Sequence, residues 1–133
     1  MEKDINMEKT QGEEEEDLLE YIYRLGREGR EISATEYGIE NDVGGKDSAK
    51  LVRGLVKKRY LEESSKKGKI KLTEKGYLKG LDCLIRHEKL TQFLQMVSGM
   101  SQERAEEDAC RMEHYISPEA IKGIGRGMSM NPI

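Results

Sequence analysis

A thiol, a carboxylate and an imidazole lie close together in segment 108–114, near the C-terminal end of the chain. They belong to Cys110, Glu113 and His114. Spacings of three and four residues place side chains on one face of a helix, so we expect these groups to face a common centre. Sulfur, oxygen and nitrogen donors together suit Fe, Mn, Co, Ni or Zn better than Ca or Mg. The alternative is a surface helix with one buried cysteine, and the segment alone favours neither.

The chain length of 133 residues predicts one domain or two small ones. No apolar run approaches the roughly 18 residues that a membrane span needs, and the first residues lack the apolar core of a signal peptide. Cys83 and Cys110 are too few for a disulfide framework, so both are expected as thiols. These features predict a cytoplasmic protein without a membrane partner, in which Cys110 is available to a metal.

Charge is segregated along the chain, although the net charge is only −3. Between Lys46 and Lys79 there are 12 Lys and Arg residues against 4 Asp and Glu residues. Such a basic segment is typical of a phosphate-binding surface. Acidic stretches lie on either side of it, and acidic runs are usually no more than solvated faces. The second acidic stretch, however, contains the candidate metal ligands.

Hydrophobic periodicity and capping residues predict a mainly α-helical chain with one hairpin in the middle. We expect helices over 14–27, over 33–40 and from about Asp47, then a hairpin over 61–72 with its tip at 64–68. Further helices are expected over 73–97, over 101–115 and, briefly, from Ser117. The glycines at 123, 125 and 127 are expected to end the ordered structure.

Three helices followed by a two-stranded wing, all carrying the basic excess, describe a winged helix-turn-helix. In this arrangement the third helix enters the major groove and the wing touches phosphates. The predicted DNA-binding residues are Lys46, Ser48, Lys50, Arg53 and Lys57 on the third helix and Lys66, Lys67 and Lys69 on the wing. The segment Gly44-Gly45-Lys46 lacks the flanking residues of a phosphate-binding loop, which excludes an NTPase.

Four motifs in order resemble the iron-dependent repressors and manganese transport regulators, the diphtheria toxin repressor superfamily. They are EDLLEYIY at 16–23, LTEKG at 72–76, Arg86-His87, and DACRMEH at 108–114. The resemblance implies a winged helix-turn-helix over 13–76 and an all-α metal-binding and dimerisation domain over 77–126, with tails at 1–12 and 127–133. It also implies a homodimer in which metal at the domain junction favours binding to operator DNA. We expect the two-domain form, without an SH3-like domain.

The same resemblance assigns a metal-ligand set residue by residue. Asp17 and Glu20 match manganese-type ligands, whereas Cys110 matches the iron-type cysteine where manganese regulators usually have Glu. Glu106 lies where iron-type members have an ancillary histidine, and Thr91 replaces an ancillary glutamate. The implied metal ligands are Asp17, Glu20, His87, Glu106, Cys110, Glu113 and His114. The set is mixed, and it implies Fe(II) or Mn(II), with Co(II), Ni(II) and Zn(II) as further candidates.

The sequence therefore predicts a metal-dependent transcriptional repressor of divalent metal homeostasis. One alternative is a metal-independent winged-helix regulator that responds to a small ligand or a protein partner. Another is a metalloenzyme, which would need a substrate cleft and an open coordination position. No nucleophile and base pair around a cavity is evident, so we do not expect an enzyme. About two residues appear inserted between Asp42 and Gly45 relative to the family, which leaves the DNA contacts near Lys46 open.

Overall fold

The computed structural model describes residues 10–64 and 68–130. In this part of the chain the elements, in order, are α1 (Gln11–Arg27), α2 (Ala34–Glu40), α3 (Gly45–Lys57), β1 (Leu61–Glu63), β2 (Ile70–Leu72), α4 (Glu74–Ser98), α5 (Gln102–Met112) and α6 (Pro118–Met130). The chain divides into two compact units, an N-terminal unit that ends at Gly80 and a C-terminal unit that begins at Leu81. The predicted boundary lay after residue 76. None of the helices in the described ranges is long and apolar enough to cross a membrane.

Reciprocal capping boxes begin the first two helices. The Thr10 hydroxyl accepts from the Glu13 N–H at 3.2 Å, and the Glu13 carboxylate accepts from the Thr10 N–H at 3.0 Å. Ser33 and Glu36 repeat this arrangement before α2. Each box satisfies donors that the first helical turn leaves without partners. Helix α1 therefore starts at Gln11, earlier than the predicted residue 14. Residues 11 and 12, which were predicted to belong to the N-terminal tail, lie in this helix.

Helices α2 and α3 pack closely because Gly38 has no side chain. A Cβ at Gly38 would lie 2.7 Å from the Val43 carbonyl oxygen and 3.0 Å from Ser48 Oγ. Ser48 is fully buried, and its hydroxyl donates to the Gly45 carbonyl at 3.2 Å. Gly44 is the N-cap of α3 and makes no side-chain capping bond, so the helix begins at Gly45, two residues before the predicted start near Asp47. Asp47 instead lies in the first turn, where a negative charge favours the helix dipole.

The hairpin forms as predicted, with β1 and β2 antiparallel and Leu61 paired with Leu72. The Ile70 N–H donates to the Ile32 carbonyl at 2.9 Å, and Ser33 and Lys69 form an isolated bridge. The wing is therefore tied to the segment that precedes α2. Residues 65–67, which include the predicted contacts Lys66 and Lys67, lie outside the described residues.

One hydrophobic cluster holds the helices and strands of the N-terminal unit together. Leucine, isoleucine and valine side chains from α1, α3 and the two strands meet in it, together with Ile32 and with Tyr37 of α2. The cluster consists of Leu18, Leu19, Ile22, Leu25, Ile32, Tyr37, Leu51, Val52, Leu55, Leu61 and Ile70. The start of α4 belongs to this unit and packs closely in it, since a Cβ at Gly76 would lie 2.0 Å from the Tyr60 carbonyl oxygen. Only glycine fits at Gly76 without moving backbone.

The C-terminal unit contains the rest of α4 with α5 and α6. Leu90, Ala109 and Ile121 form its buried cluster, against which Leu94, Ile116 and Ile124 pack. Helix α5, capped by Ser101, ends at Met112 rather than at the predicted residue 115. Helix α6 continues to Met130, so the predicted tail from residue 127 was wrong. Each glycine costs a helix about 1 kcal/mol relative to alanine, and apolar packing by α6 offsets that cost.

Candidate metal centre and DNA-binding surface

A buried histidine and a buried glutamate meet in the C-terminal unit. His87 lies in the middle of α4, and Glu113 is the C-cap residue of α5. His87 Nδ1 lies 3.1 Å from Glu113 Oε1, and the two residues are 8% and 0% exposed. A buried carboxylate is costly unless a positive group or a metal lies beside it. This pair joins one imidazole nitrogen to one carboxylate oxygen in a setting that excludes water.

Two neighbouring side chains fix the backbone of this pair. Arg86 Nη1 donates to the Glu113 carbonyl at 2.7 Å. The buried Thr91 hydroxyl donates to the His87 carbonyl at 2.8 Å. Arg86 thus attaches the end of α5 to α4, and Thr91 stabilises the helical turn that carries His87. The sequence interpretation used Arg86 only as part of a motif and Thr91 only as a departure from the iron type; both belong to the support of the site.

The other predicted ligands of the C-terminal unit lie on or just after α5. Glu106 and Cys110 are one helical turn apart, and both are half-buried. His114 is also half-buried, in the turn that follows the helix. Because α5 ends at Met112, Glu113 and His114 leave the regular helix instead of continuing its face. The structure thus joins His87 to Glu113 and places the remaining candidates on the same short stretch of chain.

The two predicted ligands of the N-terminal unit lie three residues apart on α1. Asp17 is half-buried, and Glu20 is buried with its Oε2 accepting from Arg24 Nη2 at 2.6 Å and from Arg24 Nε at 3.1 Å. Burial, followed by the negative charges of Asp17 and Glu14, raises the pKa of Tyr37 above its usual range. The Asp17 carboxylate therefore lies near enough to Tyr37 of α2 to disfavour the ionised form of that side chain.

The donor set fits a divalent transition metal. Imidazole nitrogen and carboxylate oxygen are ligands that Mn(II), Fe(II) and Zn(II) all accept. The half-buried Cys110 thiol would add a softer donor that favours Fe(II), Co(II), Ni(II) or Zn(II) over Mn(II). The backbone around His87 and Glu113 is held by hydrogen bonds, as expected where ligands must keep a fixed orientation.

Helix α3 carries an exposed basic stripe. Its apolar face is buried through Leu51, Val52 and Leu55, while the basic residues lie at spacings of four, three and four. Such spacing keeps side chains on one face of a helix. The stripe consists of the exposed residues Lys46, Lys50, Arg53 and Lys57. These four predicted DNA-binding residues are accessible to a duplex.

Two other predicted DNA-binding residues are placed differently. Ser48 is fully buried between α2 and α3, so its prediction as a DNA contact is corrected. The physical reason is the close approach of the helices at Gly38, which leaves the Ser48 hydroxyl no path to solvent. Lys69 is half-buried, and its Nζ lies 2.9 Å from Glu36 Oε1. This ion pair holds the pKa of Glu36 at about 2.

A helix-turn-helix with a basic third helix and a two-stranded wing defines a winged-helix DNA-binding module. A family model described as "Iron dependent repressor, metal binding and dimerisation domain" matches residues 73–129. The HTH-type transcriptional regulator MntR of Geobacillus kaustophilus is 34% identical over 110 residues, covering 83% of this chain and 77% of that protein. MntR of Bacillus subtilis is 33% identical over 110 residues, covering 83% and 76%. The chain belongs to the iron-dependent repressor/MntR family.

Solved structures show the same fold. The manganese regulator SloR matches with a TM-score of 0.78 at 20% identity, covering 90% of this chain and 55% of that chain. A manganese-dependent transcriptional repressor in complex with manganese matches with a TM-score of 0.79 at 19% identity, covering 88% and 53%. The chain thus spans about half the length of these solved proteins, and the predicted fold class is confirmed.

Proposed function

We propose that this chain is a metal-dependent repressor that binds operator DNA as a homodimer and controls divalent metal homeostasis in the cytoplasm. The observation that carries the proposal is the buried His87–Glu113 pair, in a chain that also presents the basic stripe of α3. The MntR relatives are named as transcriptional regulators, which supports a regulator rather than an enzyme. The metal-independent alternative would leave the histidine–glutamate pair as an ordinary buried ion pair.

We propose that His87 and Glu113 bind the metal together with His114 and Cys110. Asp17 and Glu20 of α1 would complete the set, as the family resemblance implies, and Glu106 is a further candidate. The metal supplies positive charge that draws carboxylates together, and we propose Fe(II) or Mn(II) as that metal because the family resemblance implies them. Without that charge the carboxylates repel one another. A metal that binds the DNA-competent conformation more tightly shifts the population toward it by its differential affinity.

The proposed dimer would use an apolar groove of the C-terminal unit, between α4 and α6. Met96 and Val97 on its rim are 43% and 64% exposed, and together with the apolar lining of the groove they form a contiguous apolar patch of the kind that marks an interaction surface. The groove has a volume of ≈ 520 Å³ and is lined by Phe93, Met96, Val97, Ala120, Gly123, Ile124, Gly127 and Met128. It falls within the residues matched by the dimerisation-domain model, so we propose a second copy of this chain as its occupant.

The dimer is tested by placing a charge in the groove. Val97→Asp should shift the sedimenting species from dimer to monomer, because a carboxylate buried against apolar side chains would lose its hydration. Gln92→Asp adds the same charge to an exposed position of α4 that does not line the groove, and should leave the dimer intact. A dimeric Val97→Asp variant would exclude the groove as the interface.

The metal dependence is tested by titrating chelator-treated protein with Mn(II) or, anaerobically, Fe(II). The probe is a fluorescent duplex selected from a random library by the wild-type protein in Mn(II). Wild-type affinity for this duplex should rise with metal, whereas Glu113→Gln should lose the rise because it removes the buried charge. Glu107→Gln makes the same change at an exposed position of α5 and should respond normally. Metal-independent DNA binding by the wild-type protein would favour the alternative regulator.

A further inference from the structure

Tyr21 connects helix α1 to helix α2 through its side chain. Its hydroxyl donates to Glu40 Oε1 at the end of α2. Its ring meets the Tyr37 ring edge-on, with centroids 5.5 Å apart and planes at 75°. Arg30 Nη2 donates to the second carboxylate oxygen of Glu40 at 2.5 Å. Both oxygens of Glu40 are therefore engaged, and the end of α2 is held in one orientation relative to α1.

Movement of α2 must be passed on to α3. Gly38 of α2 lies so close to the Val43 carbonyl and to Ser48 of α3 that even a methyl group would collide with them. The buried Ser48 hydroxyl fills this contact. Sliding one helix past the other would open a close-packed interface, which is costly. Helices α2 and α3 are thus expected to move together, and α3 carries the basic stripe.

Helix α1 also carries two of the proposed metal ligands. Tyr21 directly follows Glu20, and it lies one turn after Asp17 on the same side of the helix. A rotation or shift of α1 that brings these carboxylates to a metal therefore moves the Tyr21 hydroxyl as well. Tyr21 therefore moves with Asp17 and Glu20, and it is also hydrogen-bonded to Glu40 of α2.

We propose that the hydrogen bond from Tyr21 to Glu40 passes the metal-dependent change in α1 to the recognition helix, which makes both residues positioning residues for DNA binding. The inference rests on the proposed function. Apolar packing and the Glu15–Lys58 ion pair also join α1 to α3 and carry part of the change. The Tyr21–Glu40 bond adds a directional contact between α1 and the end of α2. A hydrogen bond to a carboxylate is stronger and directional, so it specifies one arrangement.

The proposal predicts a loss of coupling without a loss of binding. Tyr21→Phe removes only the hydroxyl and keeps the ring against Tyr37. The ratio of DNA dissociation constants without and with metal should fall about three- to tenfold, the size expected for losing one ordinary, solvent-exposed hydrogen bond. The Mn(II) dissociation constant without DNA and the DNA dissociation constant without metal should both stay within about twofold of wild type, because neither ligand nor DNA contacts have changed.

The experiment compares wild type, Tyr21→Phe, Glu40→Gln and the double variant. Mn(II) binding is measured by calorimetry, and DNA binding by anisotropy on the duplex selected by the wild-type protein in Mn(II). The matched control is Tyr77→Phe in α4. It removes a hydroxyl from a ring that packs on Tyr23 of α1, the helix that also carries Tyr21, with ring centroids 5.1 Å apart. The control should keep the wild-type ratio. The double variant should lose less coupling than the two single variants added together, because both changes act on the Tyr21–Glu40 hydrogen bond and only Glu40→Gln also alters the Arg30 ion pair.

Each outcome has one meaning. The proposal is supported if the ratio of DNA dissociation constants without and with metal falls in Tyr21→Phe and stays at the wild-type value in Tyr77→Phe. The effects of Tyr21→Phe and Glu40→Gln on this ratio should also be non-additive. An unchanged ratio in Tyr21→Phe overturns it while leaving the proposed function standing. A Tyr21→Phe variant that loses metal affinity or metal-free DNA affinity also overturns it, since the bond would then be merely structural. A wild-type protein with no metal effect on DNA affinity overturns the proposed function and this inference together.

Discussion

Within the described residues, the N-terminal unit joins eleven buried hydrophobic side chains in one cluster, whereas the main cluster of the C-terminal unit has three. Both units bury polar residues, Glu13, Glu15, Glu20 and Ser48 in the first and His87, Thr91 and Glu113 in the second. The second has the much smaller apolar cluster, and it leaves an apolar groove open beside Met96. The first unit can thus be stabilised by its own side chains. The second has the composition of a unit that gains stability from a metal and a second copy.

This difference predicts which perturbations each unit tolerates. A self-sufficient core should respond to a loss of packing in the same way with and without ligands. A unit with a small apolar cluster and an open groove should respond to metal and to protein concentration, because anything that binds only the native state stabilises it by mass action. The following predictions test or sharpen the contrast, starting with the largest effect.

Leu55→Ala should cause the largest change. Leu55 is fully buried in the core of the N-terminal unit, and truncating a buried leucine costs about 2–5 kcal/mol, through lost transfer free energy and the cavity that remains. Urea unfolding followed by circular dichroism measures the loss. We expect the same loss with and without Mn(II). A loss that metal largely restores would show that the N-terminal unit is not self-sufficient, and the contrast between the units would fall.

Much of the N-terminal unit is predictable from sequence because its signals are local. The boxes of Ser33 with Glu36 and the alternation of Lys69 to Leu72 fix element ends within a few residues. The burial of Ser48 could not be predicted in this way, because it depends on the missing side chain of Gly38 on another helix. The sequence interpretation counted Ser48 among the DNA-binding residues of the third helix.

The C-terminal unit is less predictable because its key contacts are non-local. His87 and Glu113 lie 26 residues apart, and no periodicity connects them. The spacing to Cys110 and His114 pointed to Glu113, the family resemblance supplied His87, and the structure supplied their contact. The continuation of α6 past Gly127 was missed because glycine weakens a helix only modestly. Tertiary packing by Ile121 and Ile124 decides the outcome there.

The second prediction concerns the basic stripe of the N-terminal unit. Arg53→Ala should reduce the preference for the selected duplex over random DNA by about 1–3 kcal/mol if the guanidinium makes a bidentate base contact. Lys57→Ala should instead weaken both duplexes alike and reduce the slope of log K against log salt by about 0.9, because one phosphate contact is lost.

The matched control for the stripe is Lys122→Ala, which removes an exposed cation from α6 of the C-terminal unit. Anisotropy titrations at several salt concentrations should show it to be indistinguishable from wild type. A salt slope that changed equally in Lys122→Ala would mean that DNA contacts extend to both units. The assignment of DNA binding to the N-terminal unit alone would then be wrong.

The third prediction concerns metal preference in the C-terminal unit. Cys110→Glu should shift the ratio of Co(II) to Mn(II) affinity toward Mn(II), because a carboxylate replaces a softer thiol. We expect a shift of about tenfold, which is within the range of effects that substitutions near a bound metal have on metal affinity. Calorimetric titration with each metal measures the ratio. Gln102→Glu adds a carboxylate to the exposed first turn of the same helix and should leave the ratio unchanged. An unaltered ranking in Cys110→Glu would show that the thiol only packs.

The smallest effect is expected from the ion pair of Glu36 and Lys69 in the N-terminal unit. Hydrogen bonds from Lys69 and from the Ser33 backbone lower the Glu36 pKa from 4.5 to about 2. A lowered pKa in the folded state means that the stabilisation is complete above the unfolded value and is lost as pH falls from about 4.5 toward 2. Both side chains are partly solvated, so solvent screening keeps the gain small.

Lys69→Met should therefore make unfolding stability fall less steeply between pH 4.5 and 2 than it does in the wild-type protein. Urea unfolding at a series of pH values measures the difference between the two curves. Lys122→Met, an exposed change in the C-terminal unit, should leave the wild-type slope. Because Lys69 is already paired, Lys69→Met should also weaken binding to the selected duplex less than Lys57→Ala does. Equal losses of DNA affinity would mean that Lys69 leaves Glu36 for a phosphate on binding, and the wing would then belong with α3 in the DNA-binding surface.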